Sequence, residues 1–282
     1  MTPLRFAVPN KGRLMEPTID LLKRSGMVFE RGDRALTVPV RNIDVELLFV
    51  RTEDVVEMVA DGVAEIGIAG TDLLAESELE LDVLLELGYG RCRLSAAVPN
   101  VSALDKLEDL EGSRIATAHP RTTRRSLADR GIADVEVVPL RGSVEVAPKL
   151  GVADAVVDLV SSGSTLMVNG LRPIATLLES EAILVAPSDS DPATSVIATM
   201  LGAVVAGRGK RYLMMNAPGD AVGPIEDLIP GLSAPTVIPL AHGDMVAVHS
   251  VVDTDDLWHV LPELEAVGAS GILVLPISQL VP

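Results

Sequence analysis

The chain has 282 residues, 48% of them apolar, and a formal net charge of −17. That length allows two or three domains with cores of their own, and the apolar content excludes a disordered chain. The charge argues against general nucleic-acid binding, and the single cysteine, Cys92, excludes an intrachain disulfide and a cysteine zinc site.

In chain order, "LRFAVPN" (4–10) reads as a strand followed by a helix to about Ser25. "VELLFV" (45–50) is a strand and "TEDVVEMVADG" a helix; "EIGIAG" (65–70) is a strand ending at "TDLL". "RIATAHP" (114–120), "VEVVPL" (135–140) and "DAVVDL" (154–159) are three more strands. Short apolar strands alternating with helices predict mostly parallel, doubly wound α/β sheets, in two lobes rather than one. Crossings between the lobes are expected near "GRCRLSAAVP" (90–99) and near Pro173 to Ala182. This gives a first lobe of residues 1–92 and 180–210 and a second of 93–179.

The last 72 residues follow "AGRGKR" (206–211), the best linker, and read strand, helix, strand, strand, helix, strand. That order predicts a ferredoxin-like βαββαβ domain over 211–282, with Asp253 or Thr254 capping its second helix. With aromatics at 2%, the cores must be aliphatic. The longest apolar run, Val196 to Ala206, is too short to cross a bilayer, and "MTPLRFAVPNKGRL" has no basic region followed by an apolar stretch. A cytoplasmic protein without membrane partners is the expectation.

One stretch points to chemistry. "DAVVDLVSSGSTL" (154–166) starts as a strand, with Asp158 on its end, and then breaks into small residues. In an open parallel sheet, ligands sit beyond the carboxyl ends of strands. Ser161, Ser162, Ser164 and Thr165 offer hydroxyls there, and Gly163 permits close backbone approach, which makes a phosphate cradle. Asp158 is placed to accept hydrogen bonds from vicinal hydroxyls, so the pair suggests a ribose 5-phosphate. A serine-rich helix cap is the bland alternative. Nineteen of the 23 basic residues lie in residues 1–150, so cations for an anionic ligand should come from the first half. Lys11 and Arg13 follow the first strand, and Arg51 follows "VELLFV", each where a ligand would lie. Asp72 follows "AGT" at another strand end.

The wider window "EVAPKLGVADAVVDLVSSGSTL" resembles the signature of the ATP phosphoribosyltransferases, through Glu145, Gly151, Ala153, Val156, Asp158, Ser162, Gly163, Thr165 and Leu166. "NKGRL", "GIAGTDLL", "GRCRLSAAVP", "RIATAHP", "YLMMNAP" and "GASGILVLPI" look like family segments in the family order. The resemblance covers essentially the whole chain and matches the long form, with its own regulatory domain. It implies a catalytic part like the type II periplasmic-binding-protein folds and an ACT-like tail. It also implies a reaction, first in histidine biosynthesis. N1 of ATP's adenine attacks C1 of phosphoribosyl pyrophosphate (PRPP), and pyrophosphate leaves with Mg²⁺, held mainly by substrate phosphates.

By family position, Arg13 and Arg51 look like catalytic phosphate and pyrophosphate binders. Glu145, Asp158 and Ser161 through Thr165 look like the PRPP site, and Lys11, Asp72 and His119 the ATP side, with His119 able to stack on adenine. The resemblance implies histidine as feedback inhibitor near Asn216, Thr236 and Gly271, and a dimer or hexamer of identical chains. Two rivals are weighed. Solute-binding or effector modules share the two-lobed pattern but do not require "DLVSSGSTL". Another class of phosphoribosyltransferases uses two adjacent acids, whereas Asp158 is followed by Leu159.

Overall fold

The run Ile66–Gly70 has no exposed residue, the mark of a strand covered on both faces. The structure, a computed structural model, describes residues 3–32, 35–189, 192–241 and 243–281. The chain opens with β1 (Leu4–Pro9), α1 (Met15–Arg24), β2 (Thr37–Pro39), β3 (Val45–Val50), α2 (Thr52–Ala60), β4 (Ile66–Gly70), α3 (Thr71–Ser77) and β5 (Asp82–Glu86). It then forms β6 (Cys92–Pro99), β7 (Arg114–Thr117), α4 (Pro120–Ala128), β8 (Glu136–Pro139), β9 (Ala155–Val160), α5 (Ser164–Val168) and β10 (Leu171–Ser180). It returns as β11 (Ala182–Ala186) and continues into α6 (Pro192–Gly207). The tail comprises β12 (Lys210–Pro218), α7 (Val222–Leu228), β13 (Thr236–Pro239), β14 (Met245–Asp253), α8 (Leu257–Ala266) and β15 (Ser270–Pro276).

The chain forms two compact units, Met1–Ala198 and Thr199–Pro282. The first holds two sheets, one per lobe. Sheet one runs β2-β3-β1-β4-β11-β5 and sheet two β10-β6-β9-β7-β8. Among the described residues, parallel pairing is confined to β3-β1-β4 and β9-β7-β8. The strands that cross between lobes lie antiparallel: β11 beside β4 and β5, and β6 beside β9 and β10. The expectation of mostly parallel sheets therefore becomes mixed sheets within the α/β class. The expected crossing segments are themselves strands, because a chain that returns between sheets can pair on arrival. Phe6, Leu47, Phe49, Ile66 and Ile68 are fully buried in the first lobe. In the second, one apolar cluster includes Leu94, Ile115 and Val157, and another includes Ala116, Val156 and Leu166.

The second unit starts inside α6, ahead of the expected boundary at 211. Tertiary contacts explain the shift. The Leu280 N–H donates to the Ala203 carbonyl at 2.8 Å, and Gly207 packs against Ile277, so the helix's last turns belong with the tail. The tail sheet runs β13-β14-β12-β15, the ferredoxin-like order. Leu213, Met215, Ala217, Ile225 and Leu264 share one core, so both helices cover one face. The cap of α8 is corrected. Asp253 ends β14 with its carboxylate 2.8 Å from Lys210 Nζ, and Asp256 takes the cap position without a side-chain bond.

Candidate functional site

β1, β3, β4 and β7 deliver their carboxyl ends to one cleft between the lobes. The loop after β1 brings Gly12, Arg13 and Leu14, the start of α2 brings Thr52 and Glu53, and the start of α3 brings Asp72. Ala118 and His119 close it from the second lobe, around a cavity of about 290 Å³.

Asp72 is the centre of this site, although only 2% exposed. Arg13 Nη2 lies 3.2 Å from its Oδ1 and His119 Nε2 lies 3.4 Å from its Oδ2. The Ser180 hydroxyl donates to Oδ1 at 2.5 Å and accepts the Asp72 N–H at 3.2 Å. Burial pushes the Asp72 carboxyl up, but His119, Ser180 and the Arg13 charge outweigh it and hold it below the usual carboxylate range. Gly70 makes room: a Cβ there would collide with Asp72 Oδ1, so no larger residue fits two positions before it. Cys92 stands beside this cluster, and burial pushes its thiol up, as suits an inert small residue.

A second, smaller cavity of about 120 Å³ lies at the end of β9, lined by Asp158, Ser161, Ser162, Gly163 and Thr165. Leu159 borders both cavities. Gly163 sits at φ 80°, a left-handed turn that starts α5 and leaves the hydroxyls exposed. Ser162 Oγ and Ser164 Oγ are 2.9 Å apart. Asp158 lies within β9 rather than at its last residue, half-buried, with Oδ1 accepting the Leu159 N–H at 2.8 Å. Burial raises its pKa above the usual value, and the nearby Glu145 charge adds to that. Glu145 is half-buried on a short 3₁₀ turn, Val144–Val146.

The structure thus brings Arg13, Asp72 and His119 together, and Asp158 together with Glu145 and the serine loop. Lys11 and Arg51 are exposed at their strand ends, outside the cavity lining; Arg51 precedes α2 in its cap position. Asp154, just ahead of β9, pairs with Arg114 at 3.0 Å. In the tail, Asn216 is exposed on β12, and a Cβ on Gly271 would lie 3.9 Å from its Nδ2. Thr236 pairs with His249 on the far side of β14, two strands from Asn216, about 10 Å across a sheet. Within one chain it does not join the other two.

Sequence reasoning missed Ser180, Thr52 and Glu53. Ser180 ends β10 where the chain crosses between lobes, and a hydroxyl at that crossing was the available signal.

The family described as HisG, ATP phosphoribosyltransferase, matches residues 51–204, and the HisG C-terminal domain matches residues 207–279. The chain is 44% identical to the ATP phosphoribosyltransferase of Gemmatimonas aurantiaca, covering 99% of this chain and 100% of that one. It is 43% identical to the enzyme of Haloarcula marismortui, over 99% and 100% of the two chains. Among solved structures, the ATP phosphoribosyl transferase (HisG:HisZ) complex from Thermotoga maritima matches with a TM-score of 0.62 and 30% identity, covering 72% of this chain and 98% of that one. With both catalytic and C-terminal segments matched over nearly its full length, the chain belongs to the ATP phosphoribosyltransferase family, in its long form.

Proposed function

We propose that the cleft condenses ATP with PRPP, placing the nucleotide against Asp72 and His119 and the ribose phosphate in the Asp158–Thr165 loop. One observation carries this reading: two cavities of opposite chemistry meet at Leu159, one holding a cation–carboxylate cluster, the other a hydroxyl-lined loop. The adenine N1 lone pair is available without a general base, so positioning accounts for much of the rate. In this reading His119, which lines the same cavity as Asp72, stacks on the adenine. Asp158 accepts from the ribose hydroxyls, and the loop N–H groups and hydroxyls of Ser161 to Thr165 donate to the 5-phosphate. The transition state gathers positive charge on the ribose and negative charge on the departing pyrophosphate. Arg13 and Arg51, with Lys11 beside them, offer the cations that favour that separation.

Mg²⁺ supplies charge neutralisation for the pyrophosphate when it is bound. Glu145 and Asp158 suit a cation, because Glu145's charge already disfavours ionised Asp158. The described residues contain no cluster of three ligating side chains, so substrate phosphates would hold the rest of its shell. The reaction opens histidine biosynthesis in the cytoplasm; among the described residues no helix is long and apolar enough to cross a membrane. The tail binds histidine between neighbouring copies of the chain, in a dimer or hexamer, which gives Thr236 a route to Asn216 and Gly271.

Calorimetry of each substrate tests the division of labour. Asp72→Asn is expected to weaken ATP binding and spare PRPP; Thr165→Ala is expected to do the reverse. Equal loss of both ligands in either variant contradicts the two-cavity assignment.

A further inference from the structure

Two short helices from opposite lobes meet end to end at the cleft. On α3, Asp72 and Glu76 are four residues apart and share one face. Asp72 faces the His119 ring. Glu76 reaches the first turn of α4: its Oε1 accepts the Arg121 N–H at 2.9 Å and its Oε2 the Thr122 N–H at 2.8 Å. Those are two of the donors that a helix start leaves without partners, and Pro120 ahead of them has no N–H to satisfy. The exchange is reciprocal. Arg121 Nη1 donates to the Ser77 carbonyl at 3.2 Å, and Arg125 Nη2 to the Ala75 carbonyl at 3.1 Å, at the end of α3. Glu78 closes α3 in the left-handed region at φ 59°, a conformation that costs a non-glycine residue energy and turns the chain there. An acid thus sits at the positive end of α4 and two arginines at the negative end of α3, each supplied by the other lobe.

We propose that Glu76 is a positioning residue for the nucleotide: by capping α4 from the facing lobe it fixes the backbone immediately after His119 and so sets the ring over the cleft. This rests on the reading of Asp72 and His119 as the ATP side. It also gives Arg121 and Arg125 a role in joining the lobes rather than in holding phosphate. The PRPP loop follows β9, and none of the bonds of this junction involves it.

The test uses the full chain. In Glu76→Ala, amide exchange across residues 119–128 of the ligand-free protein is expected to speed up about tenfold. ATP binding is expected to weaken about threefold to thirtyfold, the loss that follows removal of a helix cap. PRPP affinity should stay within about twofold. Glu76→Gln keeps a carbonyl acceptor and should recover ATP affinity to within about threefold of the parent. If Glu76→Ala does not fold, Arg125→Ala carries the exchange and ATP measurements, with faster exchange and weaker ATP binding expected. Unchanged exchange overturns the clasp whatever the substrate is. Faster exchange with unchanged ATP affinity, or with equal loss of PRPP, overturns the positioning role. A parent chain that binds neither ligand overturns instead the reading of the site.

Discussion

Ser180 and Asp72 are 108 positions apart in the chain, yet the Ser180 hydroxyl donates to the Asp72 carboxylate at 2.5 Å and accepts its N–H. The neighbouring bond repeats the link, since the Thr71 N–H donates to the Glu181 carbonyl at 3.0 Å. The strand that returns from the second lobe is therefore fastened to the turn that carries the central carboxylate.

Ser180→Ala leaves a buried carboxylate oxygen and a buried N–H each short of a partner. The expected cost is about 1–3 kcal/mol of stability, read by denaturant midpoint, with ATP binding weakened and PRPP binding spared. A variant with parental stability and ATP affinity would show that Arg13 and His119 hold Asp72 without help.

The phosphate loop depends on its backbone. A Cβ at Gly163 meets only ordinary contact with Val160, so Gly163→Val acts through φ 80° and not through crowding. It should displace the loop and raise KM for PRPP about tenfold or more, and Thr165→Ala should do so about ten- to a hundredfold by loss of a charge-assisted bond. Thermal unfolding of Thr165→Ala should match the parent, because Thr165 is exposed. Unchanged PRPP kinetics in both variants would remove the cradle from the account.

The two central carboxylates should respond to pH with opposite signs. Asp72 has its pKa lowered by folding, so its contribution is present above the ordinary carboxylate value and lost as pH falls through the lower folded value. Asp158 has its pKa raised, so the folded state is favoured most below the ordinary value, and that advantage disappears as pH rises through the raised one. At pH 7, Asp72→Asn should therefore destabilise the ligand-free chain by about 1–3 kcal/mol. Asp158→Asn should stabilise it slightly while weakening PRPP binding. Melting curves from pH 3 to 8 distinguish the two; destabilisation by Asp158→Asn at neutral pH would contradict the assignment.

Histidine should inhibit without competing with ATP, and Asn216→Ala should weaken that inhibition about tenfold while leaving uninhibited turnover within about twofold. Coupling of about 1–3 kcal/mol between such sites is typical. Sedimentation with and without histidine should show a shift toward the larger oligomer. No binding at millimolar histidine leaves the tail as an assembly domain.

The sequence carried the fold where signals are local. "VELLFV", "EIGIAG" and "DAVVDL" are apolar runs bounded by helix starts, and each became a parallel strand of its sheet. β10 was not legible: it holds Pro173, polar residues and two register shifts, features an edge strand tolerates and a pattern search discounts. The serine loop and Asp72 were legible because each directly follows or lies near a strand end. Ser180 and Glu76 were not, since their partners lie 108 and 46 positions away in the chain and only folding brings them close.

The reaction itself can be followed directly. The most direct measurement is pyrophosphate release from PRPP and Mg²⁺ by the full chain, with ATP and then with GTP, CTP or a free purine base in its place. Release with ATP alone is expected, together with a product whose mass is that of ATP plus one phosphoribosyl group attached at N1. No release with ATP, or equal release with a free base, would contradict it.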